Sequence, residues 1–182
     1  MKPWKRIEPT TEHKVGWRVI TTKTFLLPDG QKDTFDTFRR VGDAAIVVIA
    51  LTKDKKVIIT RQFRVGPEKV FDEIPTGLVD KGETPEQAAQ RELQEEAGYT
   101  AGSMKYLGHA YRDGYSNLTI HVFLATDCLP HEQGQKLDYN EHIEVDLVSI
   151  DQLLQNAKRA KMVDIGAVFM AYDDLQKLRR SS

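Results

Sequence analysis

One cysteine, Cys128, excludes an internal disulfide and suits a chain kept in a reducing compartment. A small apolar filler is a simpler role for it than a nucleophile. Long apolar runs are missing too. The longest, residues 44–51, is too short to span a bilayer, and the opening MKPWKRIEPT carries no apolar leader-like region. Neither sign of charge dominates: 26 Lys and Arg stand against 27 Asp and Glu, a net charge of -1. No overall field therefore draws the chain to nucleic acid or to an anionic membrane. His13, His109, His121, His131 and His142 lack metal-ligand spacing and read as structural or surface residues. Repeats and low-complexity segments are absent. What these absences leave is a soluble, cytoplasmic protein whose 182 residues suit one domain with a sizeable core and an appendage.

The appendage comes first. Residues 1–15 are polar and read as an arm. Residues 17–27 are rich in β-branched and aromatic types and read as a strand, Pro28-Asp29-Gly30 as a turn, and residues 34–41 as the returning strand. Residues 1–41 thus form an arm and β-hairpin ahead of a main domain, residues 42–182. In that domain, residues 44–51 are apolar throughout and predict a buried central strand, followed by a strand over 57–64. Residues 105–111, 119–125 and 143–148 are further strand candidates, with polar loops at 113–114 and 130–141. Helical spacing marks 150–157 and 165–178, the latter with Ile165, Val168, Phe169, Tyr172 and Leu175 on one face. Strands, a helix, more strands and terminal helices predict an α/β/α sandwich around a mixed sheet.

The helix between the strands is the informative one. In residues 77–99, GLVDKGETPEQAAQRELQEEAGY, Thr84 caps the first turn, Pro85 suits the first helical position and Gln87 completes a Thr-x-x-Gln capping box. Gly98 ends the helix in a left-handed turn. At about 100° per residue, Glu92, Glu95 and Glu96 share a narrow arc beside the apolar strip Ala89, Leu93 and Ala97, leaving Gln87, Gln90 and Gln94 for water. Like charges so placed repel by a few tenths of a kcal/mol per pair even when solvated, so a cation is expected among them. A hard divalent ion with oxygen ligands suits the arc, and Arg91 can steady Glu95 from one turn away. An ordinary solvated acidic helix is the plainer reading of Glu-x-x-Glu-Glu alone.

The wider spacing is richer than that. Gly77, Glu83, Arg91, Glu92, Leu93, Glu95, Glu96, Gly98 and Tyr99 fall in order on the Nudix box, G-x5-E-x7-R-E-U-x-E-E-x-G-U with U aliphatic, and only Tyr99 departs from it. The chain resembles the Nudix hydrolases. With the segments Arg61-Gln62-Phe63-Arg64 and Glu73-Ile74-Pro75-Thr76-Gly77, it is similar over most of residues 17–178 to the ADP-ribose pyrophosphatase branch. The α/β/α sandwich is also the fold that this resemblance implies.

The resemblance further implies Mg²⁺, with Mn²⁺ as a substitute, held by Glu92, Glu95 and Glu96 and by the backbone carbonyl at Thr76, where the branch usually has alanine. It implies hydrolysis of a nucleoside diphosphate sugar such as ADP-ribose or GDP-mannose to a nucleoside monophosphate and a sugar phosphate. Glu83 and Arg91 would orient the ligands rather than bind metal. Arg64 resembles an arginine that contacts substrate phosphates, the alternative being a strand-end arginine paired on the surface. Tyr115 lies near a tyrosine of the dinucleoside polyphosphate hydrolases, the alternative being packing. The general base is expected on the loop before the last strand, with Glu141 the choice, Glu144 the runner-up and Glu132 in the same loop. The branch's amino-terminal strands join subunits, so a homodimer closed through the hairpin is expected. Rival readings are a dinucleoside polyphosphate hydrolase, an RNA-cap hydrolase, which the balanced charge disfavours, and a non-catalytic nucleotide sensor, which the intact acid set disfavours.

Overall fold

The computed structural model describes residues 1–180. The chain divides into two compact units, one made of Met1–Ala44 with Tyr111–Ile120, the other of Ala45–Ala110 with the residues from His121 onward.

In the first unit, β1 (Lys5–Val15), β2 (Arg18–Leu26) and β3 (Lys32–Phe38) form an antiparallel sheet in that order. The expected arm is therefore largely a strand. Its side chains are nearly all exposed, so the apolar alternation that reveals a half-buried strand is absent, and Pro9 is tolerated because β1 is an edge. It pairs with β2 from Lys5 opposite Leu26 to Val15 opposite Arg18, with a register shift between Ile7 and Thr11, and Arg40 Nε donates to Glu12 Oε2 at 3.1 Å. The hairpin of β2 and β3 is present, and Gly30 at φ 86° supplies the left-handed residue of its turn. Trp4, Phe25 and Phe35 pack ring on ring at centroid distances of 5.9–6.4 Å, whereas Trp17 remains 72% exposed. The segment 111–120 joins through Asn117, whose side chain donates to Thr37 Oγ1 and to the Arg39 carbonyl and accepts from Lys23.

The second unit is built on an eight-stranded mixed sheet. Its strands are β4 (Ala44–Thr52), β5 (Val57–Arg64), β6 (Lys69–Glu73), β7 (Thr76–Leu78), β8 (Tyr99–Thr100), β9 (Ser103–Tyr111), β10 (Thr119–Pro130) and β11 (Glu144–Val148). They run in the order β11-β5-β4-β10-β8, with β6 paired to β5, β7 to β4 and β9 to β10. The helices are α1 (Pro85–Ala97), α2 (Ile150–Lys158), α3 (Ile165–Met170) and α4 (Tyr172–Arg180). As its sequence predicts, β4 is buried along its length. Ile46, Val48 and Ala50 face one way, where they meet Ile58, Phe123, Ala125, Cys128 and the α1 residues Ala88, Ala89, Leu93 and Ala97. The alternate residues Val47, Ile49 and Leu51 are buried on the opposite side, and Leu153, Val168 and Leu175 of the remaining helices are buried as well.

Two helical expectations change. The span 165–178 is two helices rather than one, divided at Ala171, whose φ of -86° and ψ of -2° end α3. Of the expected apolar face, Val168 and Leu175 are buried and Phe169 is 80% exposed. Gln94 faces water only in part: its amide donates to the Gly134 carbonyl at 3.0 Å.

Candidate active site

The capping box of α1 forms as its sequence dictates. The Thr84 hydroxyl accepts from Gln87 N–H at 3.2 Å, and Thr84 N–H donates back to Gln87 Oε1 at 2.9 Å. At the other end Gly98, at φ 71°, caps the helix with its N–H on the Gln94 and Leu93 carbonyls. With both ends fixed and Ala89, Leu93 and Ala97 packed on the sheet, the rotation of α1 is set. Its acids then emerge at the edge of that buried strip.

Glu96 is the most enclosed of them, 5% exposed, and its Oε2 accepts the Thr76 backbone N–H at 2.8 Å. Burial raises its carboxyl to about 8, against the Thr76 hydrogen bond and with the charges of Glu92 and Glu141 adding to the rise. Glu92 is raised to about 7, again chiefly by burial, with Glu95 and Glu141 contributing and Arg91 opposing. A β-carbon on Gly77 would lie 1.9 Å from Glu92 Oε1. Any larger residue there would displace the carboxylate from its place beside Arg91, which is a steric reason for glycine at the head of the box.

Arg91 ties the remaining acids together. Its Nε and Nη2 donate to the two oxygens of Glu83, both at 3.0 Å, and Nη2 also reaches the Leu78 carbonyl. Nη1 lies between Glu92 Oε1 at 2.7 Å and Glu95 Oε2 at 3.0 Å. The guanidinium holds the Glu83 carboxyl below its ordinary range, and its own affinity for the proton rises in return, first through Glu83. Glu83 thus steers Arg91, and Arg91 steers Glu92 and Glu95. Among the described residues no three His, Cys, Asp or Glu side chains converge closely enough to hold a metal ion by themselves. Even so, the donors suit a hard divalent cation: three carboxylates gathered on one helix edge, two of them desolvated enough to resist ionisation without a counter-charge.

Arg64, at the end of β5, is spoken for differently than its sequence suggests. Its Nε donates to Glu73 Oε1 at 2.6 Å and its Nη2 to Glu73 Oε2. Glu73 is fully buried, so this is not the surface pair of the plainer expectation. The guanidinium is fixed in place by a carboxylate that cannot leave, and its proton affinity is raised mainly by that bond. The sequence reading missed Glu73; the signal was an acid beside Ile74-Pro75 in a strand paired with β5, but such pairing is not visible locally.

Glu141 lies in the loop between β10 and β11, in a turn where Asp138 N–H donates to Glu141 Oε2 and Glu141 N–H to the Asp138 carbonyl, each at 3.0 Å. Its charge bears on both Glu92 and Glu96. Glu144 instead sits in β11 opposite Arg61, exposed, where its charge acts on that arginine. Glu132 is also exposed, in the first half of the loop. Tyr115 belongs to the first unit, its side chain 59% exposed and its carbonyl accepting from Phe38 N–H at 2.8 Å. Cys128 is buried and its thiol is pushed up to about 11 by desolvation, in keeping with an inert filler.

Fold and acid-bearing helix point to one class of enzyme, the hydrolases built on the NUDIX domain, which matches residues 41–170. The chain belongs to the Nudix family, whose hydrolases generally use a divalent metal. It is 35% identical over 139 residues to an ADP-ribose pyrophosphatase of Bacillus subtilis, covering 76% of this chain and 74% of that one. It is 34% identical over 153 residues to a methanol dehydrogenase activator of Bacillus methanolicus, covering 83% and 82%. A crystal structure of an ADP compounds hydrolase superposes with a TM-score of 0.80 at 20% identity over 98% of both chains, a likeness of fold. Among the described residues no helix is long and apolar enough to cross a membrane.

Proposed function

We propose that this Nudix hydrolase cleaves the pyrophosphate bond of nucleoside diphosphate sugars, ADP-ribose foremost, to a nucleoside monophosphate and a sugar phosphate, using Mg²⁺ or in its place Mn²⁺. The observation that carries the reading is the pair of desolvated carboxylates, Glu92 and Glu96, raised to about 7 and about 8 beside the Thr76 backbone. Glu92 already has Arg91 on one oxygen, and Glu96 has the Thr76 N–H; a divalent ion would let both acids ionise where burial otherwise favours the proton. A bound divalent ion would supply charge neutralisation at the phosphates and a more acidic water. Glu92, Glu95 and Glu96 would hold it, with the Thr76 carbonyl as a further ligand. Glu83 and Arg91 fix the rotamers of Glu92 and Glu95, so the acids are in place before substrate arrives. Arg64, its plane set by Glu73, would present its outer edge to a substrate phosphate, and Tyr115 would contact the nucleotide. Glu141 would take the proton of the attacking water.

Substrate choice is tested with ADP-ribose, GDP-mannose, a dinucleoside polyphosphate and a capped oligonucleotide, each with Mg²⁺. Monophosphate release from the diphosphate sugars should exceed that from the other two by at least about tenfold, the discrimination that about 1.4 kcal/mol of differential transition-state binding gives. Preference for the capped oligonucleotide or the polyphosphate would reject the substrate assignment.

The enzyme would work in the cytoplasm as a homodimer joined through the amino-terminal sheet, residues 1–41, with 42–182 as the catalytic domain. Exposed Trp17 and Phe38, at 72% and 53%, are the apolar surface that supports such a join. Sedimentation at micromolar concentration should give twice the chain mass of 20.7 kDa. A single species at the chain mass would rule the dimer out.

A further inference from the structure

The four last carbonyls of an α-helix have no partner within it and must find one elsewhere. In α1 those of Glu95 and Glu96, with the carbonyl of the capping Gly98, find the loop that carries Glu141. Lys136 N–H donates to the Glu95 carbonyl at 2.9 Å, and His131 N–H to the Gly98 carbonyl at 2.7 Å. The Gln135 side-chain amide donates to the Glu96 carbonyl at 2.6 Å and to the Ile143 carbonyl at 3.2 Å. Gly98 allows this approach: a β-carbon there would stand 2.9 Å from Gln135 N and 3.0 Å from the Gly134 carbonyl carbon. Capping the helix and holding the loop are the same set of bonds.

Gln135 differs from the other anchors in having two ends. One N–H is on the backbone of Glu96, and the other is on Ile143, two residues past Glu141. Together with Lys136 N–H it pins both ends of residues 136–143, the span that contains the Asp138–Glu141 turn. Ile143 is buried at one end of that span, while a cavity of about 550 Å³ lined by Gly98, Tyr99, Pro130, Gln135 and Leu147 adjoins the loop at the other. We propose that Gln135 is a positioning residue that fixes how far Glu141 reaches toward the carboxylates of α1. This rests on the reading of Glu141 as the base.

Gln135→Met keeps the length and bulk of the side chain while removing both donors. It should lower kcat about tenfold with KM changed less than about twofold, since displacements near 1 Å can cost up to about 10²-fold in rate. A double-mutant cycle separates this from general damage. In a Glu141→Gln background the same Gln135→Met change should cost less than about twofold, because the group it positions is already disabled. An equal tenfold loss in both backgrounds would overturn the proposal. If Glu141→Gln alone turns over like wild type, the reading of the base fails, and the positioning claim with it. Should Gln135→Met not fold, Gln135→Asn, which keeps two donors on a stem too short to bridge both carbonyls, carries the same cycle with the same expected outcomes.

Discussion

Glu96→Gln is expected to lower kcat by about 10³-fold or more while leaving the fold intact, and to raise the melting temperature of the metal-free protein at alkaline pH. The first part follows from the loss of a charged oxygen donor where phosphate charge must be neutralised, a loss of about 4 kcal/mol in transition-state stabilisation. The second follows from burial. The carboxyl, raised to about 8, holds its proton more tightly in the folded chain than in the unfolded one, where it titrates near the ordinary value of 4.5. Its contribution to stability is therefore fully present below about 4.5 and is lost as pH rises through about 8. Glutamine carries no such charge and can still accept the Thr76 N–H. At pH 8 the variant should melt several degrees above the metal-free wild type, and at pH 5 the gap should close. A structural Glu96 would give the reverse, a variant that melts lower at both pH values and keeps its turnover.

Glu141→Gln should lower kcat by about 10² to 10⁴, the contribution of a positioned base, while KM and metal dependence change little. The support is positional: Glu141 alone of the three loop candidates bears on both Glu92 and Glu96, whereas Glu144 acts on Arg61 from within β11. Steady-state kinetics on Glu141→Gln, Glu144→Gln and Glu132→Gln decides among them. A fall below about tenfold for Glu141→Gln, with a much larger one for either of the others, would move the base to that residue.

What could be read from the residues alone divides along local and non-local lines. The caps of α1 are local chemistry at fixed offsets, and Thr84, Gln87 and Gly98 form the bonds their sequence requires. The apolar run of β4 is legible because residues 45–51 are all apolar and all buried, on both faces of the sheet. The steering of Glu95 by Arg91 is again one helical turn. Strand β1 escaped because an exposed edge strand has no apolar face to alternate. Glu73, Asn117 and Gln135 escaped for a different reason: their partners lie across sheets and loops, Arg64 nine residues away, Lys23 and Thr37 more than seventy, Glu96 thirty-nine. An amide or acid in a strand or loop shows nothing of such a partner until the chain is folded. The break at Ala171 also left no trace, since alanine favours helix on both sides of it.

The central claim is that the α1 carboxylates hold the divalent ion on which pyrophosphate cleavage depends. Calorimetric titration of Mn²⁺ into metal-free wild type and Glu96→Gln, run beside ADP-ribose turnover on the same preparations, tests it most directly. Saturable binding in wild type, binding at least about tenfold weaker in Glu96→Gln, and AMP release that rises with metal occupancy are the predicted results. Equal binding in the two proteins, or AMP release that persists in excess chelator, would contradict it.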